Sequence, residues 1–154
     1  MSEYRLFDRE RKQYIENFVV DANGRAHLYD VSENAALAAH LYFLSKEPVV
    51  DRGRYSLEQF AGRLDNSRRL APDDPDADNI EIFEGDIVRV VYKDDFRFFE
   101  NTVHGFIAAY GYRCWGICTS NKDVFVPLPD REDDSMLLYV VGNMNLDAEK
   151  FGLE

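Results

Sequence analysis

Residues 80–91 read IEIFEGDIVRVV and decide the fold predicted for this chain. The stretch places a hydrophobic strand on each side of a tight turn, Glu84-Gly85-Asp86. Gly85 can adopt a positive φ that a residue with a Cβ resists, and the short Asp86 side chain can hydrogen-bond to nearby backbone donors. The two carboxylates of this turn would also fit acid–base chemistry, but no histidine or nucleophile lies close in sequence. We therefore predict a structural turn in a central hairpin.

Further strands are predicted after this hairpin, where short apolar runs follow one another along the chain. Glycines interrupt these runs at Gly105, Gly111 and Gly116, where a small curled barrel needs bulges or sharp bends. The predicted strands cover residues 103–110, 112–118, 124–128 and 136–141. The C-terminal half is therefore predicted to be β throughout.

Short paired strands are also predicted at the N-terminus. Residues 4–7 alternate, residues 8–12 form a charged turn, and the apolar pattern resumes at Tyr14, which together predict a hairpin. The Asn23-Gly24 pair favours a two-residue turn, so a strand at 26–29 should pair with the one before it. These elements predict an N-terminal β-meander.

One helix is predicted, over about residues 32–46. Asp30 or Ser32 can cap its first turn, a run of alanines favours helix, and Pro48 stops it. Leucines spaced at i, i+4 and i+7 give this helix one apolar stripe, which should pack on a sheet.

Residues 54–70 are compatible with helix or strand. Ser56 to Gln59 match a helix capping box, but alternating side chains and Gly62 favour extended structure. Residues 71–79 contain two prolines and four aspartates, which is typical of an acidic loop or linker. The predicted organisation is a β-rich N-terminal subdomain over residues 1–70, a linker over 71–79 and a second domain over 80–154.

The net charge of the chain limits the kinds of partner that it can bind. It has 29 acidic and 18 basic residues among 154, for a formal net charge of −11. General binding to nucleic acid needs clustered lysine and arginine, so it is a poor fit, although Arg63, Arg68 and Arg69 leave a local basic patch open. The N-terminus is charged where a signal peptide is apolar, and no apolar run approaches the roughly 20 residues of a membrane helix. We expect a soluble cytoplasmic protein.

The cysteines and histidines do not indicate a metal or cofactor site. Cys114 and Cys118 lie four residues apart in a segment predicted to be extended, roughly 13 Å along a strand, which is too far for a disulfide unless the chain turns. A zinc site would need a second pair of ligands at a fitting spacing. The three histidines are isolated in sequence. We predict neither a bound metal nor a cofactor.

Four short segments resemble the YopX-like family of phage and prophage proteins. They are YRLFD at 4–8, QFAG at 59–62, IFEGDIV at 82–88 and VVGN at 140–143, in which Gly142 and Asn143 close the pattern as a second structural turn. The resemblance implies a mostly β, α+β protein with an SH3-like barrel in its C-terminal half, encoded by a phage or prophage and without established catalytic activity. It also favours a strand at residues 55–60.

Three classes of function follow from these observations. The first is a non-enzymatic accessory protein that acts through protein contacts, with itself as a homo-oligomer or with a host protein, because the chain is rich in aromatic residues. The second is an acidic inhibitor that covers a basic surface of a host nucleic-acid-binding or defence protein. The third is an enzyme with a dispersed site. The aromatic candidates for contact are Phe96, Phe98, Phe99, Tyr110, Tyr112 and Trp115, and the acidic candidates are Asp73, Asp74, Asp76, Asp78, Asp133 and Asp134.

Overall fold

The computed structural model describes residues 3–28, 53–92, 102–111, 114–119, 124–129 and 136–153. Within these ranges the protein is mainly β, as predicted, with 11 strands and one short 3₁₀ turn. The helix predicted at 32–46 lies outside them. The chain forms two compact units, Met1–Gln59 and Phe60–Glu154, so the predicted acidic linker at 71–79 lies within the second unit.

The N-terminal unit is built on strand β1 (Tyr4–Asp8). It pairs antiparallel with β2 (Gln13–Ile15), which confirms the predicted hairpin, and on its other side with the first half of β5 (Tyr55–Leu64). The long strand β5 also confirms extended structure over residues 55–60. Leu6 and Phe7 of β1 are buried, and Phe7 contacts the Tyr14 ring edge-on at a centroid distance of 5.1 Å. These contacts hold the two sides of the hairpin together.

Strands β3 (Phe18–Val20) and β4 (Ala26–Leu28) pair only with each other among the described strands. Their pairing confirms the predicted return strand, but the connection is a five-residue loop rather than a two-residue Asn-Gly turn. The loop closes because the Asp21 N–H donates to the Arg25 carbonyl, and the Asp21 carboxylate accepts the Asn23 and Arg25 N–H groups. The predicted meander is wrong, because β2 and β3 lie in different sheets and do not pair with each other.

The C-terminal unit contains a five-stranded antiparallel sheet in the order β10-β9-β8-β7-β11. The last strand thus lies beside the first strand of the sheet, and all four strands predicted after residue 92 are confirmed. Register shifts interrupt three of the four pairings, as expected for a strongly curved sheet. The strands are β7 (Asp86–Tyr92), β8 (Thr102–Gly111), β9 (Cys114–Cys118), β10 (Val124–Pro127) and β11 (Met136–Asn143).

The mid-chain stretch forms two strands and a turn, but the predicted central hairpin is wrong. Strand β6 (Glu81–Phe83) pairs with the second half of β5, whereas β7 pairs with β8 and β11. The turn between them is fastened to other elements: the Gly85 N–H donates to the Ile107 carbonyl and the Gly85 carbonyl accepts the Met144 N–H, both at 2.8 Å. Gly85 has φ = 85°, and the Asp86 carboxylate accepts the Phe83 N–H at 2.8 Å. Residues 84–86 are therefore a structural turn that separates two sheets.

Gly142 and Asn143 end β11 and begin the C-terminal segment. A Cβ at Gly142 would lie 2.6 Å from the Asp147 carboxylate, so the glycine is required by this close approach. The Asn143 N–H donates to that carboxylate at 3.1 Å, and the Asn143 side-chain carbonyl accepts the Leu146 N–H at 3.0 Å. Both residues, predicted as a structural turn, therefore lie at the end of strand β11, where the C-terminal segment begins.

The core of the C-terminal unit lies on one face of the five-stranded sheet. Each large aliphatic side chain buried there contributes about 1.5–3 kcal/mol relative to leaving it exposed. On β9, Cys118 is buried and Cys114 is exposed, and they do not form a disulfide. The core cluster contains Ala61, Ile82, Val88, Val90, Ile107, Ile117, Leu128, Met136 and Leu138.

Candidate interaction surface

Large apolar side chains are exposed at a few positions of the C-terminal unit. Leu64 is 38% exposed, Ile80 46% and Val141 38%. Single exposed apolar residues are ordinary on protein surfaces, so these three indicate a contact site only if they lie close together. Leu70, at the end of the 3₁₀ turn (Ser67–Leu70), and Leu146 are also exposed.

The buried carboxylate of Asp65 brings the three positions together. It accepts the Ile80 N–H at 2.7 Å and the Val140 N–H at 2.9 Å, and the Asp65 N–H donates to the Ile80 carbonyl at 2.7 Å. Ile80 is bonded to Asp65 directly, Leu64 precedes Asp65 in the sequence, and Val141 follows Val140. We call the exposed side chains of Leu64, Ile80 and Val141 the junction surface.

Asn66 continues the same arrangement along the outer edge of β11. Its N–H donates to the Leu138 carbonyl at 2.8 Å, and its side-chain carbonyl accepts the Leu138 N–H at 2.9 Å. Asn66 thus satisfies both backbone groups of Leu138 as a neighbouring strand would, and Asp65 satisfies the next N–H that faces outward, at Val140. Both side chains are about 1% exposed, so the junction is a fixed part of the fold.

An acidic loop borders the junction surface. The Arg68 N–H donates to the Asn79 side chain at 2.9 Å and closes the loop at its base, while successive turns link Ala71 to Asp74 and Asp74 to Ala77. Between residues 64 and 81 the chain has six acidic residues and two arginines, a net charge of −4. The loop has four aspartates, all exposed and all predicted as interaction candidates: Asp73, Asp74, Asp76 and Asp78.

The predicted aromatic contacts contribute little to this surface within the described residues. Trp115 is half-buried and packs against the core cluster, and its carbonyl accepts the Leu128 N–H at 2.9 Å. Tyr110 belongs to strand β8 through its backbone. The remaining candidates lie outside the described ranges, namely Phe96, Phe98, Phe99, Tyr112, Asp133 and Asp134.

A separate cavity of about 500 Å³ lies in the N-terminal unit. Its charged groups are two acids and two arginines, so it offers hydrogen bonds rather than a net charge. Arg54 donates to both Asp8 carboxylate oxygens at 3.1 Å and contacts Glu10 at 3.2 Å, and is therefore already neutralised. The lining residues are Asp8, Arg11, Gln13, Tyr14, Ile15, Glu16, Asn17, Leu28, Arg54 and Tyr55.

The Asp8–Arg54 pair makes the stability of the N-terminal unit depend on acid. The hydrogen bonds from Arg54 lower the pKa of Asp8 below its ordinary value, and the Arg11 and Glu10 N–H groups act in the same direction against the opposing effect of burial. A carboxyl whose pKa is lowered by folding stabilises the fold above its unfolded pKa of about 3.9, and this contribution is lost as the pH falls through the folded pKa. Asp21, whose pKa is lowered mainly by its hydrogen bond with His27, behaves alike.

We therefore expect Asp8→Asn to lower the melting temperature at pH 7 and to flatten its fall between pH 5 and pH 2. The amide keeps the shape of the carboxylate but removes the charge that Arg54 holds. The measurement is thermal unfolding followed by circular dichroism across that pH range. Asp73→Asn, in the exposed loop, is the matched control and should leave the curve unchanged. Parallel pH curves for wild type and Asp8→Asn would contradict the assignment.

Known proteins supply no assignment for this surface or this cavity. The chain matches no protein-family model, no curated protein and no solved structure. Across the described ranges, no helix is long and apolar enough to cross a membrane. The same ranges contain no cluster of three or more histidine, cysteine or acidic side chains able to hold a metal ion.

Proposed function

We propose that this protein is non-enzymatic and acts through protein contacts at the junction surface. The observation that carries the proposal is that one buried carboxylate, Asp65, fastens together three segments that each carry an exposed apolar residue. Apolar side chains that are held together on a folded surface and bordered by polar residues are typical of contact sites. The partner is a protein that presents an apolar anchor flanked by lysine or arginine.

The rigidity of the junction supports this assignment. Asp65 and Asn66 are bonded to the backbone of β11, so Leu64, Ile80 and Val141 need little ordering when a partner binds. Immobilising a flexible side chain costs about 0.5–1.5 kcal/mol, and a preorganised surface avoids much of that cost.

The acidic border gives the surface a preference for basic partners. The net charge of −4 over residues 64–81 adds to a chain of net charge −11, so the local potential attracts lysine and arginine and repels acidic proteins. This feature also favours the second function class, an acidic inhibitor that covers a basic surface of a host nucleic-acid-binding or defence protein. The two classes share this surface and differ in what the partner does when it is free.

The proposal extends to the family of the protein and to the form of its C-terminal sheet. We infer a YopX-like phage or prophage protein that works in the cytoplasm of the bacterial host, and a C-terminal SH3-like barrel. Support comes from the family-like residues Gly85, in a turn with positive φ, and Gly142 and Asn143, at the end of β11, which all occupy positions with specific backbone or packing demands. A five-stranded antiparallel sheet whose last strand lies beside its first is consistent with a small barrel.

The test is partner capture with a variant that carries charged side chains on the junction surface. Leu64→Glu combined with Ile80→Glu should weaken binding of the captured protein by about 2 kcal/mol, or roughly 30-fold in Kd. Leu146→Glu changes an exposed leucine of the C-terminal segment and should bind as wild type. The measurement is capture from infected cells followed by calorimetry with the purified partner, after circular dichroism has verified folding. Equal binding by wild type and the double variant would contradict the proposal, as would the absence of any captured protein.

The acidic border makes a second, kinetic prediction. Changing Asp73, Asp74 and Asp76 together to asparagine should slow association with that partner several-fold at low salt, because long-range attraction mainly increases the association rate. Above about 0.5 M salt the difference should vanish, since screening removes that attraction. Surface plasmon resonance across a salt series measures both values. Association that is fast and indifferent to these changes would remove the acidic loop from the proposed site.

A further inference from the structure

Arg89 occupies the face of the five-stranded sheet opposite to the core cluster. It lies directly across from His104 on β8 and from Tyr139 on β11. Its guanidinium carbon is 4.9 Å from the centroid of the Tyr139 ring, which is a cation–π contact. Its Nε is buried and has no hydrogen-bond partner among the described residues.

This environment differs from that of the other arginines that are partly or wholly buried. Arg5 contacts the Glu58 carboxylate at 2.6 Å, and Arg54 donates to both oxygens of Asp8. Arg63 donates to the carbonyls of Leu64 and Pro129 at 3.1 Å. Arg89 is only partly buried, but burying one of its N–H groups without an acceptor is costly. Arg89 is therefore a cation that an added anion would stabilise.

The neighbours of Arg89 on its own face leave that charge uncompensated. Side chains alternate between the faces of a strand, so Ile87 and Val91 share the face of Arg89 on β7. Their partners across the sheet are Phe106 and Thr102 on β8 and Gly142 and Leu137 on β11. None of these partners carries a carboxylate, and the Asp147 carboxylate that lies against Gly142 accepts the Asn143 N–H. In a chain with 29 acidic residues, this part of the described sheet lacks any acidic neighbour in register with the arginine.

An imidazole and an ammonium group lie between Arg89 and the C-terminal segment. The His104 ring packs on Phe151 at a centroid distance of 4.9 Å, and the Lys150 ammonium lies 5.5 Å from the centroid of the same ring. Arg89 thus contacts Tyr139 and lies opposite His104 in register, and Phe151 contacts both His104 and Lys150. A row of cationic and aromatic side chains stands on the face of an otherwise acidic protein.

We propose that Arg89 and His104, with Lys150 at the rim, bind a small oxyanion, a carboxylate or a phosphate. The planar guanidinium presents its terminal N–H groups in a fork that matches two oxygens of such a group, and Tyr139 fixes the plane of the fork. The imidazole of His104 supplies a further ring N–H. This site is separate from the junction surface and stands independently of the function proposed there.

The test uses inorganic phosphate and acetate as probes with the full-length protein. The arginine Nε–H signals in proton–nitrogen NMR spectra report the site directly, and the Arg89 signal should shift and saturate with one of the two anions. If phosphate saturates the signal and acetate does not, the site takes phosphate groups; the reverse result assigns it to carboxylates. Sodium chloride at matched ionic strength is the reference, because salts also act on proteins without a site.

Substitution separates binding from a merely structural role. Arg89→Gln should weaken binding of the effective anion at least tenfold, which corresponds to about 1.4 kcal/mol. Without anion, the same variant should melt at or above the wild-type temperature, because an uncompensated charge has been removed. Arg68→Gln, which changes an exposed arginine, should bind as wild type. Arg89→Lys retains the charge without the fork and should bind with intermediate strength.

Two results would overturn the proposal. One is an Arg89 signal that does not shift, or drifts equally with phosphate, acetate and chloride. The other is an Arg89→Gln protein that is less stable than wild type in the absence of anion and still binds the anion normally. The latter result would assign the arginine to packing on Tyr139. An Arg89→Gln protein that fails to fold would also assign the arginine to packing, since a residue needed only for binding is dispensable for folding.

Discussion

Replacing Gly105 with alanine should lower the free energy of unfolding of the C-terminal unit by about 3 kcal/mol. A Cβ at this position would lie 2.5 Å from the Ile117 Cγ2 and 2.8 Å from the Cys118 carbonyl oxygen. Both residues belong to β9, the strand paired with β8, and both are buried. The added methyl group can be accommodated only if two paired central strands move apart. For a unit of this size the melting temperature should fall by on the order of 15 °C.

Two further variants separate this steric effect from other consequences of losing a glycine. Gly152→Ala meets open space but has φ = 66°, so it should cost only the roughly 1–2 kcal/mol of a left-handed backbone. Combining Gly105→Ala with Ile117→Val removes one of the two close contacts and should recover only part of the loss, since the Cys118 carbonyl remains. Denaturant unfolding measures all three values. A Gly105→Ala protein as stable as wild type would show that β8 and β9 are not packed as described.

Replacing Asp65 with alanine should cost about 4 kcal/mol. The carboxylate is 1% exposed and accepts four hydrogen bonds, from the Ser67 N–H and hydroxyl and from the N–H groups of Ile80 and Val140. Without it, three backbone N–H groups lose their acceptor, and each such group costs about 1–3 kcal/mol when it stays dry. The total stays below the simple sum because water can reach the partly buried Ser67.

Asp65→Asn should lose about half as much, because the amide retains one acceptor oxygen in place of two. The matched control is Asp74→Ala, whose carboxylate accepts only the exposed Asp76 N–H and should matter by less than about 1 kcal/mol. Denaturant titrations again supply the comparison. If Asp65→Ala and Asp74→Ala unfold at the same denaturant concentration, the junction does not hold the three segments together.

The strands were predictable because their evidence is local. Alternating or continuous apolar runs identified all five strands of the C-terminal sheet, and Gly85 marked a turn whose positive φ few other residues adopt. Which strands pair with one another was harder to predict from the sequence. A tight turn between two apolar strands suggested a hairpin, but the backbone groups of Gly85 bond to Ile107 and Met144, which no local pattern reveals.

The candidate sites were largely beyond prediction for the same reason. Asp65 is adjacent to Asn66 and Ser67 in a polar stretch that resembles a solvated loop, and its partner Val140 is 75 residues away in sequence. Arg89 is the only basic residue of the largely apolar strand β7, and nothing in the sequence shows that Tyr139 would contact it. Sequence reasoning instead favoured aromatic clusters and acidic runs, because abundance is visible in a sequence and long-range juxtaposition is not.

The pairing of Asn66 with Leu138 has a consequence for how the protein can polymerise. An open strand edge templates the addition of further chains, and long flat edges are where fibrils grow. At Leu138 and Val140 the side chains of Asn66 and Asp65 already occupy the positions an incoming strand would need. A strand could add to this edge of β11 only if the two side chains were displaced. Another molecule must therefore be recognised there through side chains, without extension of the sheet.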